Sequence, residues 1–286
     1  MKIKKIILLI ACTFLMTGCL KSSSMDDIHI VTTTYPIEYL MERIYGYNST
    51  IDSIYPRGIN VREHKLTDKK NREYASSDLF VYNGLTEEKE TALHLLNNNK
   101  KLKIIDVSKG ISLNNDECEL WLSPSNYLML AQNIKNGLLD YVNTTIIKQQ
   151  IEENYDDLRL IISTFDAELK LVAENASNKT LIIGNDVFAF LEKYGFRIIN
   201  VEENDTYLPT YFQEAKNNIT NKTNTYVFTL DIDAETENVK RLQDAGAKVV
   251  KINSMLNRTE AEDKESIDYP KLMRQFIEAI QSEVNN

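Results

Sequence analysis

Few residues of this chain have both the type and the spacing for chemistry. Asp231, Asp233, Glu235 and Glu237 alternate along LDIDAETE, the pattern with which a calcium loop offers oxygen ligands. The glycine such a loop needs at its sixth position and the glutamate at its twelfth are Thr236 and Leu242, so these acids read as the capping end of a helix. Of the three histidines, His29 falls in an expected strand and His94 on an expected helix, without ligand-spaced neighbours, and both read as structural. His64 reads as a solvated loop residue and Cys118 as a small buried hydrophobe. The sequence contains no Gly-rich phosphate loop, nucleophile elbow or paired catalytic histidine, and the chain is not read as an enzyme.

Residues 1–19 carry chemistry of another kind. MKIKK is followed by the apolar run IILLIACTFLM, too short to span a bilayer, and then by Thr17, Gly18 and Cys19, which is the layout of a secretion signal. Cys19 directly after small residues resembles the lipobox of bacterial lipoproteins, where cleavage leaves that cysteine as a lipid-modified N-terminus. The expectation is a signal at 1–18 and a polar tether at 19–27. More than one acyl chain then holds the protein outside the cytoplasm on the bacterial membrane. Cleavage removes Lys2, Lys4 and Lys5, so the formal charge of −9 becomes −12. That balance disfavours nucleic acid or an anionic surface as partner and favours a cationic or small ligand. Cys12 leaves with the signal and Cys19 takes lipid, so Cys118 has no partner for a disulfide within the chain. Sequons such as Asn178-Lys-Thr would matter only in a eukaryotic secretory route, which the lipobox argues against.

The elements that must position any site are organised around residues 144–174. Ile147, Ile151, Tyr155, Leu158, Ile162, Phe165, Leu169 and Val172 recur at three- and four-residue steps, one apolar stripe on a long helix. About thirty residues at 1.5 Å each reach roughly 45 Å, more than the width of a small domain, so the helix must run along two of them. Before it, strands expected at 28–34, 53–55, 79–82 and 102–105 alternate with helical patterns. After it, strands expected at 180–183, 197–201, 226–229 and 248–252 do the same, with a helix expected at 187–194. The fold expected is α/β: two lobes, 28–143 and 176–286, each a mostly parallel sheet flanked by helices, joined by a connecting helix at 144–175. Ligands of such proteins sit between the lobes, near the carboxyl ends of the strands.

Several stretches in order then carry a resemblance. They are TTTYP (32–36), YPRGIN (55–60), YASSDLFVYNGL (74–85), DVSKGI (106–111), ELWLSP (119–124), NDVFAFLEKYGF (185–196) and YPKLM (269–273). Together with the lipobox, their order and spacing resemble the solute-binding lipoproteins of zinc and manganese ABC importers, over nearly the whole mature chain. The resemblance implies a rigid long helix between two lobes, an interlobe site for zinc or manganese, and delivery of the ion to an ABC permease in the membrane.

The site positions that the resemblance implies are where the sequence departs. The family's first ligand, a His four residues after the glycine, falls on Arg62. The second, a His two residues before the Trp, falls on Glu119, and the third, three residues before the Phe, on Asn185. The acidic ligand of manganese members falls on Ile267. A guanidinium is a permanent cation with no lone pair to donate, so Arg62 repels an ion that zinc or manganese sites bind through N, S or O donors. The His-rich loop of many zinc-specific members is absent. A local shift would offer His64, Glu119, Asp186 and Asp268 as a displaced set, with Asp268 read otherwise as a helix N-terminal acid. The cleft residues expected are Arg62, Glu119, Asn185 and Asp268, with Arg62 and Glu119 facing each other or a small charged ligand. By resemblance the chain is an importer's solute-binding lipoprotein with a degenerate metal site. Two alternatives stand beside it: a cleft recast for a small charged organic ligand, and a surface lipoprotein using the fold for adhesion.

Overall fold

The computed structural model describes residues 25–112, 119–204 and 208–285. The N-terminal half runs β1 (Ile28–Thr32), α1 (Tyr35–Tyr45), β2 (Ser49–Ser53), α2 (Asp68–Ala75), β3 (Leu79–Tyr82), α3 (Glu88–Asn98), β4 (Lys103–Asp106) and α4 (Pro124–Tyr141). The long helix α5 (Thr145–Asn175) follows. The C-terminal half runs β5 (Thr180–Ile183), β6 (Arg197–Asn200), α6 (Pro209–Thr220), β7 (Tyr226–Leu230), α7 (Glu237–Asp244), β8 (Lys248–Ile252), α8 (Glu260–Lys264) and α9 (Tyr269–Val284). Pro36, Pro124, Pro209 and Pro270 each lie in the first turn of a helix, where a missing N–H breaks no bond.

Each half builds a four-stranded sheet, ordered β2-β1-β3-β4 and β6-β5-β7-β8. Every pairing is parallel, with Ile28 opposite Ser49, Ile30 opposite Leu79, Leu79 opposite Lys103, and in the second sheet Thr180 opposite Arg197 and Tyr226 opposite Lys248. The chain therefore leaves its first strand in opposite directions in each sheet. The switch points lie between β1 and β3 and between β5 and β7, and loops leaving those strands open onto the crevice where α/β proteins place ligands.

The long helix joins the two halves. Ile147, Ile151, Tyr155, Leu158, Ile162, Phe165 and Leu169 are buried as the stripe requires, while Val172 only packs at the margin and Ala173 takes the buried place. A straight 3.6-residue helix drifts against a fixed three-four step, which moves the last contact by one residue. The stripe packs against α1, α4 and α9, so one continuous core contains residues from both sheets. Smaller clusters cover the outer faces, around Ile182, Phe212 and Leu242 in one lobe and Val31, Phe80 and Leu95 in the other.

One strand lies elsewhere than expected, and one expected helix takes the tighter 3-10 form. The second strand is Ser49–Ser53 rather than 53–55, because STIDS lies at the sheet edge with only partial burial, so its polar residues give no apolar run. Residues Asp186–Tyr194 form a 3-10 helix, not an α-helix. Asn185 Oδ1 accepts from the Val187 N–H, a local turn that starts the tighter winding, and Gly195 at φ +94° ends it. Gly84 is required where it stands: its N–H donates to Asp106 at 2.9 Å, and a Cβ would meet that carboxylate at 2.1 Å.

The lobes also touch directly. Tyr35 N–H donates to Leu256 O at 3.1 Å and Gly58 N–H to Arg258 O at 2.9 Å. Trp121 Nε1 donates to Ser254 O at 2.8 Å, and Tyr269 Oη donates to Trp121 O at 2.7 Å. Among the described residues no helix is long and apolar enough to cross a membrane.

Candidate functional site

Arg62 lies in the loop after β2, where its backbone N–H donates to Asn60 Oδ1 at 3.1 Å and fixes the turn. Its Nη2 donates to Glu119 Oε1 at 3.1 Å, and its Nη1 stands 3.7 Å from Asp233 Oδ1. Glu119 directly precedes a short 3-10 turn, Leu120–Leu122, that buries Trp121. Asp233 follows β7 at the switch point of the second sheet, so the guanidinium bridges a carboxylate of one lobe and a carboxylate of the other. The Glu119 side chain is 5 % exposed and that of Asp233 16 %, whereas Arg62 is 50 % exposed. The acids are thus the built part of the site, and the cation reaches them from the surface.

Asn185, at the end of β5 beside the same switch point, completes the arrangement. Its Nδ2 donates to Asp233 Oδ2 at 2.9 Å, and the Leu230 N–H donates to that oxygen at 3.0 Å. The next carboxylates are crowded. Burial raises the Asp186 carboxyl above its ordinary range. Burial likewise raises that of Glu202, with the charges of Asp186 and Asp233 adding to the rise. Arg62 is the one basic side chain paired with Glu119 or Asp233 among the described residues.

The displaced set does not come together. His64 packs edge-on against the Tyr55 ring at 5.8 Å, Asp186 accepts from Asn200 and Asn204, and Asp268 caps α9 by accepting from the Lys271 N–H at 3.0 Å. Among the described residues no group of three or more His, Cys, Asp or Glu is placed to hold a metal ion. Cys118 lies outside the described residues, as do Cys19 and the signal expected at 1–18. Ile267 packs against the main core. His29 pairs with Asp52 at 2.8 Å across neighbouring strands. Asp233 is the residue that sequence reasoning missed, read as one more capping acid; the cap of α7 is Thr236, whose hydroxyl accepts from the Val239 N–H. The available signal was its place just past the carboxyl end of a parallel strand.

A divalent ion does not fit this set. Zinc needs about three or four N, S or O donors at roughly 2.0–2.3 Å, and manganese also prefers carboxylate and imidazole. Here two carboxylates spread across a planar fork, Glu119 at hydrogen-bond distance and Asp233 as an ion pair at 3.7 Å, the asparagine turns its amide N–H toward one of them, and the centre holds a fixed positive charge.

A second charge chain, unforeseen from the sequence, ties the lobes nearby. Arg57 grips Glu38 with two bonds of 2.7 and 2.6 Å, its Nε donates to Asp263 of α8 at 2.9 Å, and Arg258 Nη2 stands 2.7 Å from the other oxygen of Asp263. The bidentate Glu38 contact raises the Arg57 guanidinium further above its ordinary range.

Comparison with known proteins gives the setting of this site. The chain is 23 % identical to the high-affinity zinc uptake system protein ZnuA of Bacillus subtilis, over 94 % of each chain. It is 23 % identical to the manganese-binding lipoprotein MntA of Halalkalibacterium halodurans, over 64 % of this chain and 63 % of that one. Among solved structures, the metal-dependent lipoprotein YcdH of Bacillus subtilis superposes with a TM-score of 0.75 at 19 % identity, covering 90 % of this chain and 99 % of that one. The Zn(II)-bound ZnuA-like domain of Streptococcus pneumoniae AdcA gives 0.72 at 19 % identity, covering 91 % and 100 %. These likenesses show the two-lobed fold. The family model for ZnuA, the periplasmic component A of a zinc-uptake complex, matches residues 30–283, and the chain belongs to that family of metal-importer solute-binding proteins.

Proposed function

We propose that this protein is an extracytoplasmic solute-binding lipoprotein of a zinc- or manganese-type ABC importer system, anchored through Cys19 and working beside a membrane permease, whose interlobe site holds Arg62 in place of the ion. The observation that carries this reading is the position of the Arg62 guanidinium, 3.1 Å from Glu119 and 3.7 Å from Asp233, between carboxylates of opposite lobes. An ion arriving there must displace a side chain that carries the same sign of charge and is already paired. The acidic mature chain supports a cationic cargo in general, and the family supports a metal, but the donor set supports neither zinc nor manganese at this point.

Titration calorimetry with zinc and manganese tests the reading. The wild type is expected to give no submicromolar binding, and Arg62→His, which turns the cation into a donor between two carboxylates, is expected to gain affinity. Tight binding by the wild type that disappears in Glu119→Ala would show a working metal site and end this proposal. The anchor is tested separately: Cys19→Ala should release the protein from membranes, and retention without acyl mass on the wild type would contradict it.

A second reading has one observation in its favour. Half of the Arg62 side chain faces solvent, so the guanidinium has surface left with which to clamp the carboxylate of a small zwitterion while Glu119 or Asp233 takes its amine. Thermal stabilisation by an amino acid or short peptide that is lost in Arg62→Ala would support it.

A further inference from the structure

We infer that Glu119, Asp233 and Asn185 form a guanidinium-binding site that Arg62 fills from within the chain, so that the closed arrangement of the lobes is the resting form without cargo. This rests on the reading that no metal occupies the site and says what the site is built for instead. Three features carry it. The two carboxylates meet the two terminal nitrogens of one planar fork, Nη2 with Glu119 and Nη1 with Asp233, which is the geometry that suits a guanidinium and not a spherical ion. Both acids are held in place by the fold: Glu119 is 5 % exposed, and Asp233 Oδ2 takes hydrogen bonds from Asn185 and the Leu230 N–H, which turns Oδ1 toward the cation. Finally, without Arg62 these acids, with Asp186 and Glu202 behind them, have no cation among the described residues, so two lobes presenting like charges to each other repel.

The occupant itself is the less constrained partner. Arg62 reaches the site from an exposed loop with half its side chain in water, as a tethered ligand does, whereas Glu119 is buried and Asp233 is only 16 % exposed. Closure is reinforced by contacts that involve no cargo, among them the Arg57–Asp263 pair and the bonds from Gly58 to Arg258 and from Asn257 Nδ2 to Pro56 O at 2.7 Å. The loop that carries Arg62 is therefore also clamped to the opposite lobe through Pro56, Arg57 and Gly58.

Chemical rescue on the full chain, in buffer containing a chelator, tests this. Arg62→Ala is expected to lower Tm by about 2–4 °C and to raise the radius of gyration in small-angle scattering. Millimolar methylguanidinium should restore both in that variant and change neither in the wild type. The rescue should vanish when Asp233→Asn is added. Circular dichroism that matches the wild type ensures that the variant is folded, and Arg62→Lys, which keeps the charge without the fork, should fall between the two. If Arg62→Ala keeps the Tm and radius of the wild type, or if methylguanidinium shifts both proteins alike, the inference is overturned. That outcome differs from metal binding by the wild type, which overturns the reading beneath it.

Discussion

Asn185 donates its side-chain N–H to Asp233 Oδ2 at 2.9 Å, and by doing so leaves Oδ1 to face Arg62 across the lobe boundary. Asn185 thus orients a carboxylate toward the guanidinium. Coupling between Arg62 and Asp233 follows from this relationship. A double-mutant cycle of Arg62→Ala with Asp233→Asn, followed by urea unfolding, should give a coupling of about 0.5–1 kcal/mol, since one partner is half exposed. Strict additivity would mean that the pair is a geometric coincidence.

The buried carboxyl of Glu88 predicts a pH dependence. Glu88 starts α3 beside the end of β3, where Oε2 accepts from the Asn83 N–H at 2.8 Å, and the Thr33 hydroxyl lies alongside. Burial pushes its pKa up to about 7, against the pull of those two donors, with the charge of Asp106 adding to the rise. The folded state therefore holds a proton that the unfolded state loses near its ordinary carboxylate pKa. Stability should be greatest at and below that ordinary value and fall as pH rises toward about 7, by an amount on the order of 3 kcal/mol if this group acts alone. Glu88→Gln should flatten that slope and stabilise the protein at pH 8. An unchanged urea midpoint profile between pH 5 and 8 in the variant would show that Glu88 is not the group responsible.

The long helix predicts a contrast along one element. Leu158 and Phe165 are fully buried in the core shared by the lobes, and Leu160 is exposed on the opposite side. Leu158→Ala or Phe165→Ala should cost about 2–5 kcal/mol, and Leu160→Ala about 0.5 kcal/mol or less. Equal losses at Leu158 and Leu160 in chemical denaturation would contradict the packing of α5.

Most of the architecture was legible in the sequence because it rests on periodic burial. The stripe from Ile147 to Leu169 and the apolar runs 79–82 and 226–229 hide one face or both, and such patterns survive without knowledge of neighbours. The second strand lies apart from its apolar signal because an edge strand needs no apolar run, and the helix expected at 187–194 takes the 3-10 form, whose apolar spacing is nearly that of an α-helix. The site was legible only in part. Arg62, Glu119 and Asn185 could be named by register with a family, but Asp233 could not, since its role depends on a contact with a residue 171 positions away in a different lobe. The chain Glu38–Arg57–Asp263–Arg258 was hidden for the same reason. Charge partners across a lobe boundary leave no period in sequence.

The most direct test of the account is native mass spectrometry of the full chain, kept in a mild detergent and exposed to a slight excess of zinc or manganese. Arg62→His is measured beside it. The account predicts that the wild type keeps its metal-free mass and that the variant gains one ion. A wild-type spectrum showing one zinc or manganese per chain, lost in Glu119→Ala, would contradict the claim that Arg62 stands where the ion would be.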